Sequence, residues 1–203
     1  MWRQWWDPEG KHECLTFNKQ FDVYSIHSTC GPYEEFCKDF DFRPTGAPSM
    51  FASMDIHKIT KDNVKERSEI LLEMYKSTAA VSSDHNVLLQ PLGNDFTYVY
   101  PQEYDHQYVN YMEIANYVNS HPEYKTEISF GTLSTYFEEI KKRKPKFPTL
   151  QGDFQPYASV PDEYWTGYYS SRAFWKVRES ITDVKRSNIL CLSSEFIALA
   201  GKS

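Results

Sequence analysis

No apolar stretch among the 203 residues is long enough to span a bilayer, so the sequence offers no transmembrane helix. Basic residues are the minority: 22 Lys and Arg stand against 28 Asp and Glu, a net charge of −6 that argues against a nucleic-acid surface. The one dense basic run, Lys141-Lys142-Arg143-Lys144, closes a predicted helix, where cations meet the helix dipole in solvent. Glycine is scarce, at 8 residues, and forms neither a phosphate-cradling loop nor a Gly-x-Ser-x-Gly nucleophile turn. The 4 cysteines have no zinc-finger spacing, and the 6 histidines form no His-x-His or His-Glu-x-x-His element. No internal repeat or low-complexity segment occurs, which excludes a solenoid or a disordered tract.

What is present is an aromatic globular chain. Hydrophobic residues make up 40% and charged residues 25%, enough for one good core, or one core and part of another. Aromatic content reaches 16%, with 15 Tyr and 13 Phe; such side chains suit carbohydrate surfaces and protein interfaces alike. Met1 is followed at once by Trp2-Arg3-Gln4-Trp5-Trp6, which reads as domain interior and not as a signal peptide, so no targeting segment is expected. Cys30 and Cys37 bracket a loop short enough for a disulfide, although two thiols fit the spacing as well.

Taken in order, Phe21 to Ile26 alternates aromatic and polar residues and predicts a strand. Loops rich in Gly, Pro and Asp follow to Gly46-Ala47-Pro48. Thr60 reads as the cap of a helix carrying Val64, Leu71, Leu72 and Tyr75 on one face and ending near Ser77. Val87-Leu88-Leu89 predicts a buried strand cut off by Pro91 and Gly93. A second helix is expected from about Asp105 to Ser120, with Tyr108, Met112, Ala115 and Val118 inward, stopped by His121-Pro122. Thr126, Ile128 and Phe130 alternate as a short strand. Gly131-Thr132 then caps a third helix holding Leu133, Tyr136, Phe137 and Ile140. This rhythm is that of a parallel α/β sheet with crossover helices, with too few strands to be complete.

The pattern changes after Phe147-Pro148, and a domain boundary is placed near Val160. From Ala173 a helix sets Phe174, Val177, Ile181 and Val184 on one face, continuing less cleanly through Ile189, Leu192 and Phe196 to Gly201. A lone helix cannot bury that face. Its partners are expected from protein segments outside the sequence or from another chain, as in a homo-oligomer.

The residue that stands out is Asp95. It follows Leu92-Gly93-Asn94 at the C-terminal end of a predicted strand, where α/β folds place catalytic groups. A carboxylate after Gly93-Asn94 also serves as a plain turn or helix cap.

Seven stretches, in order, carry a pattern. They are Trp2-Arg3-Gln4, Tyr24 with Thr29-Cys30-Gly31-Pro32, Phe40-Asp41-Phe42, and Pro91-Leu92-Gly93-Asn94-Asp95-Phe96. Phe130-Gly131-Thr132-Leu133 follows, then Phe147-Pro148-Thr149-Leu150 with Gly152-Asp153-Phe154. The most specific is the last, Tyr164-Trp165-Thr166-Gly167-Tyr168-Tyr169 with Ser171-Arg172. Together they are similar to the class II α-mannosidases of glycoside hydrolase family thirty-eight, Golgi type. The resemblance implies an α/β fold: residues 1–160 as the C-terminal part of a parallel-sheet, distorted β/α-barrel-like catalytic domain. Residues 161–203 would be the start of an α-helical bundle domain.

It further implies retaining hydrolysis of terminal α-linked mannose on N-glycans, by two carboxyl groups assisted by zinc. Asp95 falls on the general acid/base, Tyr24, Asn94 and Trp165 on the substrate pocket, and Cys30 with Cys37 on a disulfide pair. The implied compartment is the Golgi lumen or the secretory pathway. The zinc ligands and the nucleophile of the family lie outside this sequence, so no metal ligand is assigned within it.

The sequence also departs from the family pattern. Asn94-Asp95-Phe96-Thr97 stands where Asp-Asp-Phe-Arg is usual, Tyr24-Ser25 where Tyr-Asp is expected, and His27-Ser28 where Pro-His precedes Thr-Cys. Lys38 replaces a second cysteine, and His27 aligns with no zinc ligand and reads as an ordinary loop residue. The expectation is that this polypeptide alone does not hydrolyse mannosides. The competing reading is a truncated, non-catalytic relative that binds a glycan or a protein at most.

Overall fold

The structure is a computed structural model that describes residues 1–21, 24–44, 58–82, 85–152 and 156–182. The loop at Gly46-Ala47-Pro48, the Asp153-Phe154 pair, Cys191 and the expected helix beyond 182 lie outside the described residues. In chain order the elements are β1 (Trp2–Arg3), α1 (Ile26–Thr29), α2 (Glu34–Cys37), α3 (Val64–Ala80), α4 (Pro101–Asn119), α5 (Leu133–Arg143), β2 (Leu150–Gln151), β3 (Ala158–Val160), β4 (Glu163–Tyr164) and α6 (Gly167–Ser170). Single 3₁₀ turns occupy Lys38–Phe40 and Pro122–Tyr124, and helical backbone runs over 173–182. Two compact units result: Met1 with residues 14–149, and residues 2–13 with 150 onward.

The first unit is organised by α3 and α4. The turn before α3 begins at Thr60, whose carbonyl accepts the Val64 N–H at 2.9 Å, while Asn63 occupies the cap position. The helix continues beyond Ser77 because Thr78 is buried, its hydroxyl donating to the Cys30 carbonyl at 3.3 Å. Gly31 lies against this turn; a Cβ there would meet the Met74 backbone oxygen at 3.0 Å. At the start of α4, Pro101 fits a first-turn position whose N–H has no helical partner. Glu103 then accepts the N–H groups of Val99 at 2.7 Å and Tyr100 at 3.0 Å.

Apolar burial is concentrated between these helices. Leu71, Leu72 and Met74 of α3 and Tyr111, Ile114 and Val118 of α4 form one cluster with Ile59, Phe40, Phe42 and the Cys30–Cys37 disulfide. Phe42 packs edge-to-face on Tyr111, ring centroids 5.6 Å apart. The inward face of α4 follows the apolar period in its second half, where Ala115 and Val118 are buried, and departs from it at the start. Tyr108 is exposed, and the inner row opens with Glu103, Gln107 and Asn110. These polar residues face inward because they meet backbone: Gln107 accepts the Phe42 N–H at 2.8 Å and donates to the Phe40 carbonyl at 3.0 Å. Asn110 accepts the Ile59 N–H at 2.7 Å. Thr132 caps α5 as its sequence predicts, accepting the Thr135 N–H at 3.2 Å, and Tyr136 and Ile140 turn inward.

A buried ion pair sits beside the cluster. Asp41 and Arg43 are 1% and 0% exposed, joined by Nε to Oδ1 at 2.7 Å and Nη2 to Oδ2 at 2.6 Å. Burial pushes the Asp41 carboxyl upward, but the hydrogen bonds of Arg43 and His27 outweigh it and leave the group below its ordinary value.

Among the described residues the three expected strands form no ladders. Ser25 makes one parallel bridge to Gly93, Ile26 already begins α1, and 87–89 and 126–130 run without a strand partner among the described residues. Their backbone groups pair instead with side chains, as where Asn119 bonds both the N–H of Ile128 at 2.8 Å and its carbonyl at 2.9 Å.

The second unit is smaller and more open. β1 pairs in parallel with β2, Trp2 opposite Leu150 and Arg3 opposite Gln151, and the Trp2 indole N–H donates to the Gly152 carbonyl at 2.7 Å. β3 and β4 form an irregular antiparallel pair. Trp5 and Trp6, which read as interior residues, are exposed here, as are Phe174 and Trp175.

Two expectations follow. Asp41→Asn removes the carboxylate from a buried ion pair with Arg43 and costs about 3–5 kcal/mol in urea unfolding. In the parent, Asp41's lowered folded value makes the pair's contribution complete above the ordinary carboxylate range, near pH 4, and lost as pH falls through that lower value. Cys37→Ser opens a short loop and costs about 2–3 kcal/mol in the same measurement.

Candidate functional site

Tyr24 and Asp95 are 71 positions apart in sequence, and the single bridge between Ser25 and Gly93 brings them together. The Ile26 N–H donates to the Gly93 carbonyl at 2.8 Å, which sets the two segments side by side and in parallel. One residue before the bridge on one segment is Tyr24; two beyond it on the other is Asp95. The Tyr24 hydroxyl donates to Asp95 Oδ1.

The turn carrying Asp95 closes on itself. Asn94 Oδ1 accepts the Asp95 N–H at 2.8 Å, the Asn94 N–H donates to Thr97 Oγ1 at 3.1 Å, and the Thr97 hydroxyl donates to the Asn94 carbonyl at 2.9 Å. Phe96 and Tyr98 have left-handed backbones, φ 56° and 60°, a conformation that costs a bulky residue about 1–3 kcal/mol. The Tyr98 hydroxyl holds the end of the turn by donating to the Leu92 carbonyl at 2.6 Å. Burial raises the Tyr98 phenol to about 12, so it stays a neutral donor at any physiological pH.

The site is open. Asp95 is exposed and Tyr24 is half exposed. The hydrogen bond to Asp95 is the main cause that raises the Tyr24 phenol above its ordinary value, with desolvation second. Among the described residues no cluster of three or more His, Cys, Asp or Glu side chains is placed to hold a metal ion. The donor set a zinc ion needs does not occur there, and no step below runs through one.

Of the residues singled out in the sequence, Tyr24, Asn94 and Asp95 meet at this turn. Trp165 belongs to the second unit, exposed, its N–H on the Tyr157 carbonyl at 2.8 Å and its ring edge-to-face with Tyr157 at 5.3 Å. Cys30 and Cys37 are disulfide-bonded in the core; Cys14 is exposed and outside that bond. His27 is not the plain loop residue it reads as. It lies on α1 with Nε2 3.0 Å from Asp41 Oδ2. The available signal was Phe40-Asp41-Phe42-Arg43, a charge pattern threaded between two core aromatics.

This geometry places a carboxylate and a phenol together at an open turn. Residues 1–160 match the Glycosyl hydrolases family 38 N-terminal domain, and the chain belongs to that family. It is 38% identical to Alpha-mannosidase 2x of Mus musculus over its whole length, and 38% identical to Alpha-mannosidase 2 of Spodoptera frugiperda over 95% of it. Alpha-mannosidase 2 of Homo sapiens is 36% identical over 90%. The chain spans 18%, 18% and 17% of these relatives' own lengths.

Asp95→Asn is expected to return the Tyr24 phenol to near the ordinary value of about 10. The sign follows from the raised folded value: the bond's stabilisation is complete below the unfolded phenol's value and is lost as pH rises through the folded one. A tyrosinate titration read by NMR or by difference absorbance, with Tyr24→Phe to identify the signal, checks both.

Proposed function

We propose that this chain supplies the general acid/base side of a retaining α-mannosidase active site, with Asp95 as the proton-transferring residue. The observation that carries the reading is the Tyr24 hydroxyl on Asp95 Oδ1 within a family 38 segment. In retaining hydrolysis one carboxyl protonates the leaving oxygen and then, as base, activates water, while a second carboxyl attacks the sugar. The same oxygen must serve both steps. A phenol engaged on Oδ1 fixes the carboxyl rotamer and leaves Oδ2 for the transfer. An acid also needs a proton at working pH, which burial or a nearby anion provides; the exposed Asp95 must acquire that setting from segments that complete the site.

The substrate class is a terminal α-linked mannose on an N-glycan, in keeping with the mannosidase names of the relatives, and the compartment implied by the resemblance is the secretory pathway, in the Golgi lumen. No helix among the described residues is long and apolar enough to cross a membrane. Tyr24 and Asn94 are the substrate-contacting residues of the first unit in this reading. Zinc would grip the sugar hydroxyls from ligands outside this chain. The domain reading is a parallel α/β catalytic part over 1–160 and the start of a helical bundle after it. It is supported by the extent of the family match and by the parallel β1–β2 pairing.

The test is a chimera in which residues 1–160 replace the matching segment of Alpha-mannosidase 2 from Spodoptera frugiperda, assayed with an aryl α-mannoside and zinc. Turnover is expected, and Asp95→Asn is expected to reduce kcat by about 10²–10⁴-fold. The 203-residue chain alone, with one of the two carboxyls, is expected to be silent. Full activity in the Asp95→Asn chimera would overturn the assignment.

A further inference from the structure

One partly buried group near the site has no part in the chemistry above. His27 lies on α1, three residues after Tyr24, and its Nε2 is 3.0 Å from Asp41 Oδ2. Asp41 is itself immobilised: Arg43 grips both its oxygens, and Gln107 clamps the backbone on either side through the Phe40 carbonyl and the Phe42 N–H. The ion pair therefore offers a fixed anchor inside the first unit.

Among the described residues, the segment bearing Tyr24 is joined to the Asp95 turn, apart from the phenol bond itself, by the bridge at Gly93 and its hydrogen bond at 2.8 Å. That bridge sets the separation of two segments but leaves rotation about it, and a phenol at the end of a long side chain amplifies any rotation. Beyond Tyr24 the segment is held by buried Ile26, by the Cys30–Cys37 disulfide and by Lys19 Nζ, which donates to the Ser28 carbonyl at 3.0 Å. The His27 bond adds a side-chain attachment to the buried pair, three residues from Tyr24. On the opposite arm, Tyr98 pins the Asp95 turn through the Leu92 carbonyl.

We propose that His27 is a positioning residue: its imidazole docks the Tyr24 segment on the buried Asp41–Arg43 pair and so sets the Tyr24 hydroxyl on Asp95. An imidazole facing a carboxylate donates from Nε2, so the role requires a nitrogen donor at that reach and not the ring as such. The inference rests on the Tyr24–Asp95 geometry and not on the mannosidase reading, and its readout is independent of turnover.

The experiment follows Tyr24 in the 203-residue chain labelled with ¹³Cζ-tyrosine, its signal identified by its loss in Tyr24→Phe and titrated through the alkaline range. Asp95 is the charged group acting on this phenol among the described residues. The parent is expected to titrate above about 10, the ordinary tyrosine value. His27→Ala and the volume-filling His27→Leu are expected to bring the midpoint down to that value, as Asp95→Asn does. His27→Gln, which keeps a nitrogen donor, is expected to retain the parent midpoint. Thermal melting is recorded beside each titration. A melting temperature that falls while the Tyr24 midpoint stays at the parent value, in either His27→Ala or His27→Leu, would show a merely structural histidine and sink the proposal. An equal fall of the midpoint in His27→Gln sinks it too, as does a parent Tyr24 that titrates at the ordinary value.

Discussion

The need to satisfy a fully buried guanidinium and carboxylate shapes much of the first unit. Phe40-Asp41-Phe42-Arg43 carries all four side chains into the interior, so the charges cannot escape to solvent while the rings stay in the core. Arg43 folds back on Asp41 two positions earlier, His27 takes up Asp41 from a separate element, and Glu103 and Tyr98 add to the field on Arg43. A buried pair of this kind is a poor source of net stability, because desolvation offsets most of its attraction. Its effect is on uniqueness. Alternative packings of the segment would strand a charge, so the arrangement of α1, the segment 40–43 and the start of α4 is strongly restricted.

That restriction explains what the sequence showed of the fold and what it hid. α5 was legible, because Thr132 is a good cap and Tyr136 and Ile140 follow a simple apolar period. α3 was legible for the same reason, through Leu71 and Leu72, and its end was misplaced only because Thr78 is buried against a distant carbonyl. The existence of α4 was legible and so was its facing at Ala115 and Val118, but not at its start. A period read from apolar residues selects Tyr108 and Met112, whereas the inner row at its start is Glu103, Gln107 and Asn110, drawn inward by unpaired backbone at 40–42 and 59. No local pattern contains that information. The short apolar runs at 87–89 and 126–130 carry strand propensity without a neighbouring strand to pair with among the described residues, and propensity alone makes no ladder.

The candidate site divides in the same way. Asp95 is visible as a carboxylate after a Gly-Asn turn, and family motifs mark it and Tyr24 separately. That the two meet depends on one bridge across 71 positions, which no sequence period encodes. His27 was the harder residue to read, because its function depends on Asp41, and a histidine in an irregular stretch looks like any other. The departures from the family pattern at Asn94 and Thr97 also become intelligible. Where charged neighbours are usual, these neutral residues tie the turn to itself through three hydrogen bonds and hold the left-handed backbone at Phe96.

A neutral, self-tied turn changes what aligns the carboxyl. With charged neighbours, alignment of Asp95 and its proton affinity would be set by the same groups. Here alignment comes from a phenol, and the phenol's own position traces back through α1 to the buried ion pair. A phenol that donates to a carboxylate favours its charged form, so the group that orients a carboxyl also acts on its proton affinity. The orientation is built into residues 24–43 and 92–98 of this chain. A carboxyl held in this way can keep its geometry through both halves of a retaining cycle, because the donor on Oδ1 does not change charge when Oδ2 gains or loses its proton.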